Sequence, residues 1–327
     1  MKKILFVGAP ATLLVTSALV ALAQTGDIRV DGSSTVYPIT LAVAEEFKIE
    51  NPRVKISVAF SGTGGGFKKF CVGETDVSNA SRPISAAEVE TCKKNGIPFI
   101  EIPVAYDGLT VVVNPKNTFV NCLTVAELKR MWEPGSKVNL WSDVRPSWPK
   151  EKIVYYGAGS DSGTFDYFTE EINGKSKAIR TDYFPSEDDN VLVKGVEGNP
   201  NAIGFFGYAY YLEEGKKLKA VAIDKKGDGK CVLPNETTIN NGSYSPLSRP
   251  LFIYVNAANL NKTSLIKFVE FYLNKKNRKV ISSTGYVQLP ERAYELALDR
   301  FKKRKTGTLF GGKLLEGKTL VEVLEGK

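Results

Sequence analysis

Three short stretches of the chain carry hydroxyls, glycines and few other groups: Asp31-Gly-Ser-Ser-Thr-Val36, Ser61-Gly-Thr-Gly-Gly-Gly66 and Gly157-Ala-Gly-Ser-Asp-Ser-Gly-Thr164. Their chemistry is hydrogen-bond donation, since hydroxyls donate and glycine lets backbone N–H groups come close to a ligand. Each stretch follows a strand-like run, Ile28 to Val30, Val54 to Phe60 and Ile153 to Tyr156, and each leads into helical spacing. After the first, Tyr37, Leu41, Ala44 and Phe47 are so spaced, with Pro38 in the first turn; after the third, Phe165, Phe168 and Ile172. The first turn of a helix has four unpaired N–H groups and the positive end of the dipole, so each loop is a candidate oxyanion seat. One glycine-rich turn needs only a steric reason; three with the same chemistry form a set. Arg82, between Ser81 and Pro83, adds a guanidinium on extended backbone, a planar donor suited to an oxyanion.

Other chemistries fit less well. There is no histidine, which removes the commonest general base and the commonest zinc ligand. An exported serine hydrolase acting through Ser162 or Ser34 is the alternative of a different class. Gly159-Ser-Asp-Ser-Gly163 lacks GxSxG spacing, so only a Ser-Lys dyad is open to it. The loop at 61–66 is neither a P-loop nor GxGxxG. Asp224-Lys-Lys-Gly-Asp-Gly229 has a lysine at a calcium-ligand position and no glutamate at the twelfth, so it reads as a solvated hairpin. Neither a metal nor a cofactor is expected.

The chain has 327 residues, enough for two domains, and a formal charge of +8. Lys2 and Lys3 belong to an expected signal peptide, residues 1–23, whose Ala21-Leu22-Ala23 precedes Gln24, so about six charges remain after cleavage. Gln24 and not a cysteine stands directly after the cleavage point, which argues against a lipid anchor. The remaining excess suits an anionic ligand or membrane surface; no nucleic-acid motif accompanies it. In an exported protein Cys71, Cys92, Cys122 and Cys231 are expected to pair. Of three pairings, Cys71–Cys92 closing a local loop with Cys122–Cys231 stapling a long one is favoured.

Ile97 to Val104 and Leu109 to Asn114 read as strands, and Pro250 to Asn256 repeats the β-branched run ending in Val-Asn. We expect 109–114 and 250–256 to pair as a two-strand crossing. Residues 24–113 plus 251–327 would then form one lobe and 114–250 the other, with a hinge that allows closure on a ligand. Ser85 to Glu88 and Thr124 to Glu127 are capping boxes that start helices.

In order, D-G-S-S-T-V-Y-P, S-G-T-G-G-G-F, S-N-A-S-R-P, S-D-S-G-T-F-D-Y-F and S-R-P-L-F-I-Y-V-N resemble the periplasmic phosphate-binding proteins of ABC importers, most closely the cyanobacterial-type branch. The resemblance implies an α/β, type II periplasmic-binding-protein fold with two lobes and phosphate in the cleft. It implies a monomer in the periplasm that delivers phosphate to permease subunits. It places phosphate ligands at Ser34, Thr35, Val36, Thr63, Ser162, Gly163 and Thr164. The chain departs from the best-known members at Arg82, where they have an aspartate, and at Ala158, where they have an arginine. Arg82 is therefore expected to neutralise the anion and Asp161 to accept a phosphate proton, excluding sulfate. The same fold binding sulfate, molybdate or tungstate is the nearer alternative.

Overall fold

Phe99 to Val113 is one unbroken strand, buried along its whole length, and the molecule is arranged about it. The coordinates are a computed structural model that describes residues 27–160, 162–186, 188–214, 217–311 and 318–327. The expected signal peptide and Asp161 lie outside them.

The chain begins β1 (Ile28–Gly32), α1 (Tyr37–Glu50), β2 (Ile56–Val58), α2 (Thr63–Phe70), β3 (Val77–Ala80), α3 (Ala86–Lys94) and β4 (Phe99–Val113). It continues through β5 (Cys122–Thr124), α4 (Val125–Trp132), α5 (Trp141–Val144), β6 (Val154–Ala158), α6 (Gly163–Asn173), β7 (Phe184–Ser186), α7 (Asp189–Gly198), β8 (Ala202–Gly207) and α8 (Tyr208–Glu214). After β9 (Lys219–Ala220), β10 (Ala222–Asp224) and α9 (Glu236–Asn240) it returns as β11 (Ser248–Asn256), then α10 (Thr263–Leu273), α11 (Arg278–Ser283), α12 (Glu291–Lys302) and α13 (Leu320–Glu325).

Among the described residues nine strands share one sheet, in the order β2-β1-β3-β11-β4-β8-β6-β7, with β9 added to β4. Parallel triplets lie at either end, β2-β1-β3 and β8-β6-β7, each entered through strand-loop-helix units that place helices on the faces. Between them β4 runs antiparallel to β11 and to β8.

This corrects the expected crossing. Residues 248–256 pair with 99–108, and 109–113 pair with β8 instead. The two runs read as separate strands are one. Pro103 lies within this strand, and the register slips between Leu251 and Phe252, opposite Ala105 and Pro103. A bulge there absorbs the residue that cannot donate to the ladder.

On α1 the buried face is Ile39, Thr40, Val43, Ala44 and Phe47. Tyr37 and Leu41, expected on that face, are half-buried. Both capping boxes form, on α3 and on α4. Asp224 accepts N–H donors from Lys226, Gly227, Asp228 and Gly229, so its own backbone fills the loop that resembled a calcium site.

Arg180, 2% exposed, ties the end of α4 to β6 and the segments beside them. Its guanidinium donates to the carbonyls of Met131 (2.8 Å) and Val138 (2.9 Å), to Asn139 Oδ1 (3.1 Å) and to the Asp182 carboxylate (2.7 and 2.8 Å). Its backbone N–H donates to Trp132, and its cation lies 3.9 Å from the Tyr155 ring centre. The last carbonyls of α4 are thus capped from β6's side. Disulfides join Cys71 to Cys92 and Cys122 to Cys231, with Cα separations of 4.2 and 6.0 Å.

Candidate anion-binding site

The first two loops are built as one piece. Asp31, at the end of β1, accepts from the Gly32 N–H (2.7 Å) and Ser61 Oγ (2.7 Å) and pairs with Lys69 of α2. A Cβ at Gly66 would sit 2.4 Å from the Gly32 Cα, so α2 packs on β1 at a distance that only glycine permits. The N-termini of α1 and α2 begin at Val36 and Gly62, neither with a side-chain cap. Their first N–H groups thus have no acceptor from a capping side chain. Thr35 and Val36 are buried, Ser34 and Thr63 half-buried.

The third loop meets the first across the molecule. Ser162 caps α6, accepting from the Thr164 N–H. A Cβ at Gly163 would lie 2.2 Å from Thr35 Oγ1 and 2.8 Å from the Thr35 nitrogen. Ser34 to Val36 and Ser162 to Thr164 are therefore brought together, with both helix dipoles ending at the contact. Thr63 makes a further contact. Its Oγ1 lies 3.1 Å from Ser81 Oγ and accepts the Ser81 N–H (3.2 Å), joining α2 to the segment carrying Arg82.

Arg82 is already paired. It donates to both oxygens of Glu88 (2.9 and 2.8 Å) and to the Pro83 carbonyl (3.1 Å). The same Glu88 makes the capping box of α3. The guanidinium lies 5.8 Å from the Phe67 ring centre and lines a cavity of about 710 Å³ with Ser81, Tyr167 and Arg249.

Arg249, Asp107 and Tyr167 escaped the sequence reading. Arg249 and Asp107 stand opposite each other in the β4–β11 register. They are 6% and 4% exposed. Arg249 Nη2 lies 3.6 Å from Asp107 Oδ2 and 3.5 Å from Thr35 Oγ1, and its cation lies 3.5 Å from the Tyr167 ring centre on α6. Among the described residues neither Arg249 Nε nor Asp107 Oδ2 has a hydrogen-bond partner. Burial pushes the Asp107 carboxyl above its ordinary range although Arg249 pulls it down. The motif S-R-P-L-F-I-Y-V-N contained Arg249, but only the strand pairing gives it a role.

Two carboxyls at the site bear on stability. Burial pushes Asp31 up, but Lys69, Ser61 and the Gly32 N–H outweigh it; burial likewise pushes Glu88 up, but Arg82 and Ser85 outweigh it. Both end below their ordinary values. Such a group stabilises fully above its unfolded pKa of about 4 and loses that contribution as pH falls through the folded value. The melting temperature is therefore expected to fall progressively below about pH 4, with a shallower fall in Asp31→Asn. Equal slopes in thermal melts from pH 5 to 2.5 would remove Asp31 from this account.

The family model of the PBP superfamily domain matches residues 20–276. Protein SphX of Synechococcus elongatus is 48% identical over 309 residues, covering 94% of this chain and 90% of its own. The phosphate-binding protein PstS of Staphylococcus saprophyticus is 41% identical over 272 residues, covering 82% of each chain. Among solved structures, "a possible phosphate binding protein" from Planctomyces limnophilus matches with a TM-score of 0.81 and 51% identity, covering 86% of this chain and 99% of that one. An ABC-type phosphate transport receptor from Vibrio cholerae shares the fold at a TM-score of 0.65 and 23% identity, covering 80% of this chain and 99% of that one. The mixed sheet crossed by two antiparallel strands is the type II periplasmic-binding-protein fold, and the chain belongs to the PBP superfamily and, within it, to the family of SphX and the phosphate-binding protein PstS.

Proposed function

We propose that the chain binds inorganic phosphate between two lobes and delivers it to the permease subunits of an ABC importer. It works as a periplasmic monomer released from its signal peptide. The observation that carries this is the contact of Thr35 with Gly163, which points two helix N-termini at one place from opposite sides of the sheet crossing. Two dipoles and a row of backbone and hydroxyl donors there suit a small multivalent oxyanion. The names of SphX-like and PstS relatives, several of them phosphate-binding proteins, support phosphate over other oxyanions.

In this reading the lobes are 24–113 with 251–327 and 114–250, and β4 with β11 is the hinge. Ser34, Thr35, Val36, Thr63, Ser162, Gly163 and Thr164 donate to the anion. Arg82 stands at the rim with Glu88 as its partner. Hydrolysis has little support: the Ser162 hydroxyl is engaged as a helix cap, and the chain has no histidine to activate it.

Calorimetric titration of the ligand-stripped mature protein with phosphate and sulfate, from pH 5 to 9, tests the reading. Phosphate should bind and sulfate should be excluded. Equal binding of the two would make the protein a general oxyanion carrier.

A further inference from the structure

We propose that Arg249 and Asp107 are the charged pair of this seat: Arg249 binds the anion, and Asp107 makes the seat select an anion that still carries a proton. The proposal rests on the phosphate reading above. Both side chains are more than nine-tenths buried, yet among the described residues Arg249 Nε and Asp107 Oδ2 lack hydrogen-bond partners. Groups of this kind are costly to bury unless something completes their bonding. An oxyanion supplies what both need, acceptor oxygens for the guanidinium and, when protonated, an O–H for the carboxylate.

Position favours the same pair. Arg249 Nη2 is within 3.5 Å of Thr35 Oγ1, at the contact between the first and third loops, and the guanidinium lies against Tyr167 of α6. One side chain on β11 thus touches both the loop that leads into α1 and helix α6. Arg82 is engaged elsewhere: its fork is filled by Glu88, it also donates to the Pro83 carbonyl, and it lies 5.8 Å from the Phe67 ring centre.

Selectivity follows from the carboxylate. Monohydrogen phosphate donates its O–H to Asp107, keeping the proton and sharing it in a charge-assisted hydrogen bond. Sulfate has no proton to offer, so the same carboxylate repels it at short range. The discrimination expected of Asp161 falls in this way to Asp107, four tenths of an ångström beyond ordinary hydrogen-bond length from its arginine, given a 3.6 Å separation against an upper limit of about 3.2 Å.

Calorimetry on the ligand-stripped mature chain with potassium phosphate and potassium sulfate tests this. Arg249→Gln should weaken phosphate binding at least about 30-fold. That loss should exceed the loss in Arg82→Gln by about tenfold, since a rim charge matters less than a buried hydrogen-bonded one. Asp107→Asn should lower the phosphate-to-sulfate affinity ratio by about tenfold or more. A larger loss at Arg82→Gln, or an unchanged ratio in Asp107→Asn, overturns the proposal. Should circular dichroism show Asp107→Asn unfolded, the double variant Asp107→Asn/Arg249→Gln leaves no unpaired charge and reads the same ratio. If it keeps the wild-type preference, the pair is only structural. Failure of the wild-type chain itself to bind phosphate would overturn the functional reading as well, and so is distinct from failure of the pair.

Discussion

Replacing Gly163 with alanine is expected to weaken phosphate binding by about 5- to 150-fold, the effect of a 1–3 kcal/mol overpacking penalty, without destabilising the unliganded protein. The added methyl would meet Thr35 at its Oγ1 (2.2 Å), Cα (2.7 Å) and nitrogen (2.8 Å). Two of these are backbone atoms that cannot rotate away, so the loops must separate and the donors lose their common focus. Gly163 is the first residue of α6. Alanine suits helical backbone better than glycine, by roughly 0.4–1 kcal/mol where no strain results. The variant therefore separates closure from folding. Calorimetry should show the affinity loss, small-angle scattering should show less compaction on adding phosphate, and the unliganded melting temperature should hold or rise. Wild-type affinity in this variant would mean that the two loops do not close on the ligand together.

Arg180→Ala should cost about 3–5 kcal/mol, because it leaves carbonyls and a carboxylate without their buried donor. The carbonyls of Met131 and Val138 and the Asn139 side chain would lose their bonds, and Tyr155 its cation. Asp182 is largely exposed and can turn to water. The carbonyls cannot. Arg180→Lys should fall between, keeping the charge but losing the planar fork. Saturating phosphate should raise the melting temperature of wild type and variant alike through mass action, since the variant leaves the seat intact. Thermal melts differing by under about 2 °C would rule out the structural role assigned to Arg180, given that each kcal/mol moves a domain of this size by about 2–4 °C.

Much of the fold was legible because its signals are local. An apolar run, a hydroxyl-glycine loop and a helical spacing recur at 28–47, 54–70 and 153–172, and each became a strand, a loop and a helix. The capping boxes at Ser85 and Thr124 were equally plain, since four residues determine them. What failed was pairing at a distance. Nothing near Arg249 in sequence marks Asp107 as its neighbour, because that relation is set by the register of two strands. The Arg82–Glu88 pairing was missed for a related reason: Glu88 was read as a cap, but its carboxylate accepts from Arg82 through both oxygens while one of them also accepts the Ser85 N–H. The expected pairing of 109–114 with 250–256 matched similar sequences, whereas the sheet matched the strand to its bulge.

The two disulfides have a mechanical consequence. Cys71–Cys92 ties the end of α2 to α3, and Cys122–Cys231 ties β5 to the chain beside β10. With the lobes divided as proposed, each bridge stays on its own side of the β4–β11 crossing. The covalent braces stiffen the two jaws and leave the joint unbraced. An oxidant is then needed once, while the chain folds. On that division, every later cycle of capture and release would run at constant covalent structure, with the bending confined to the joint.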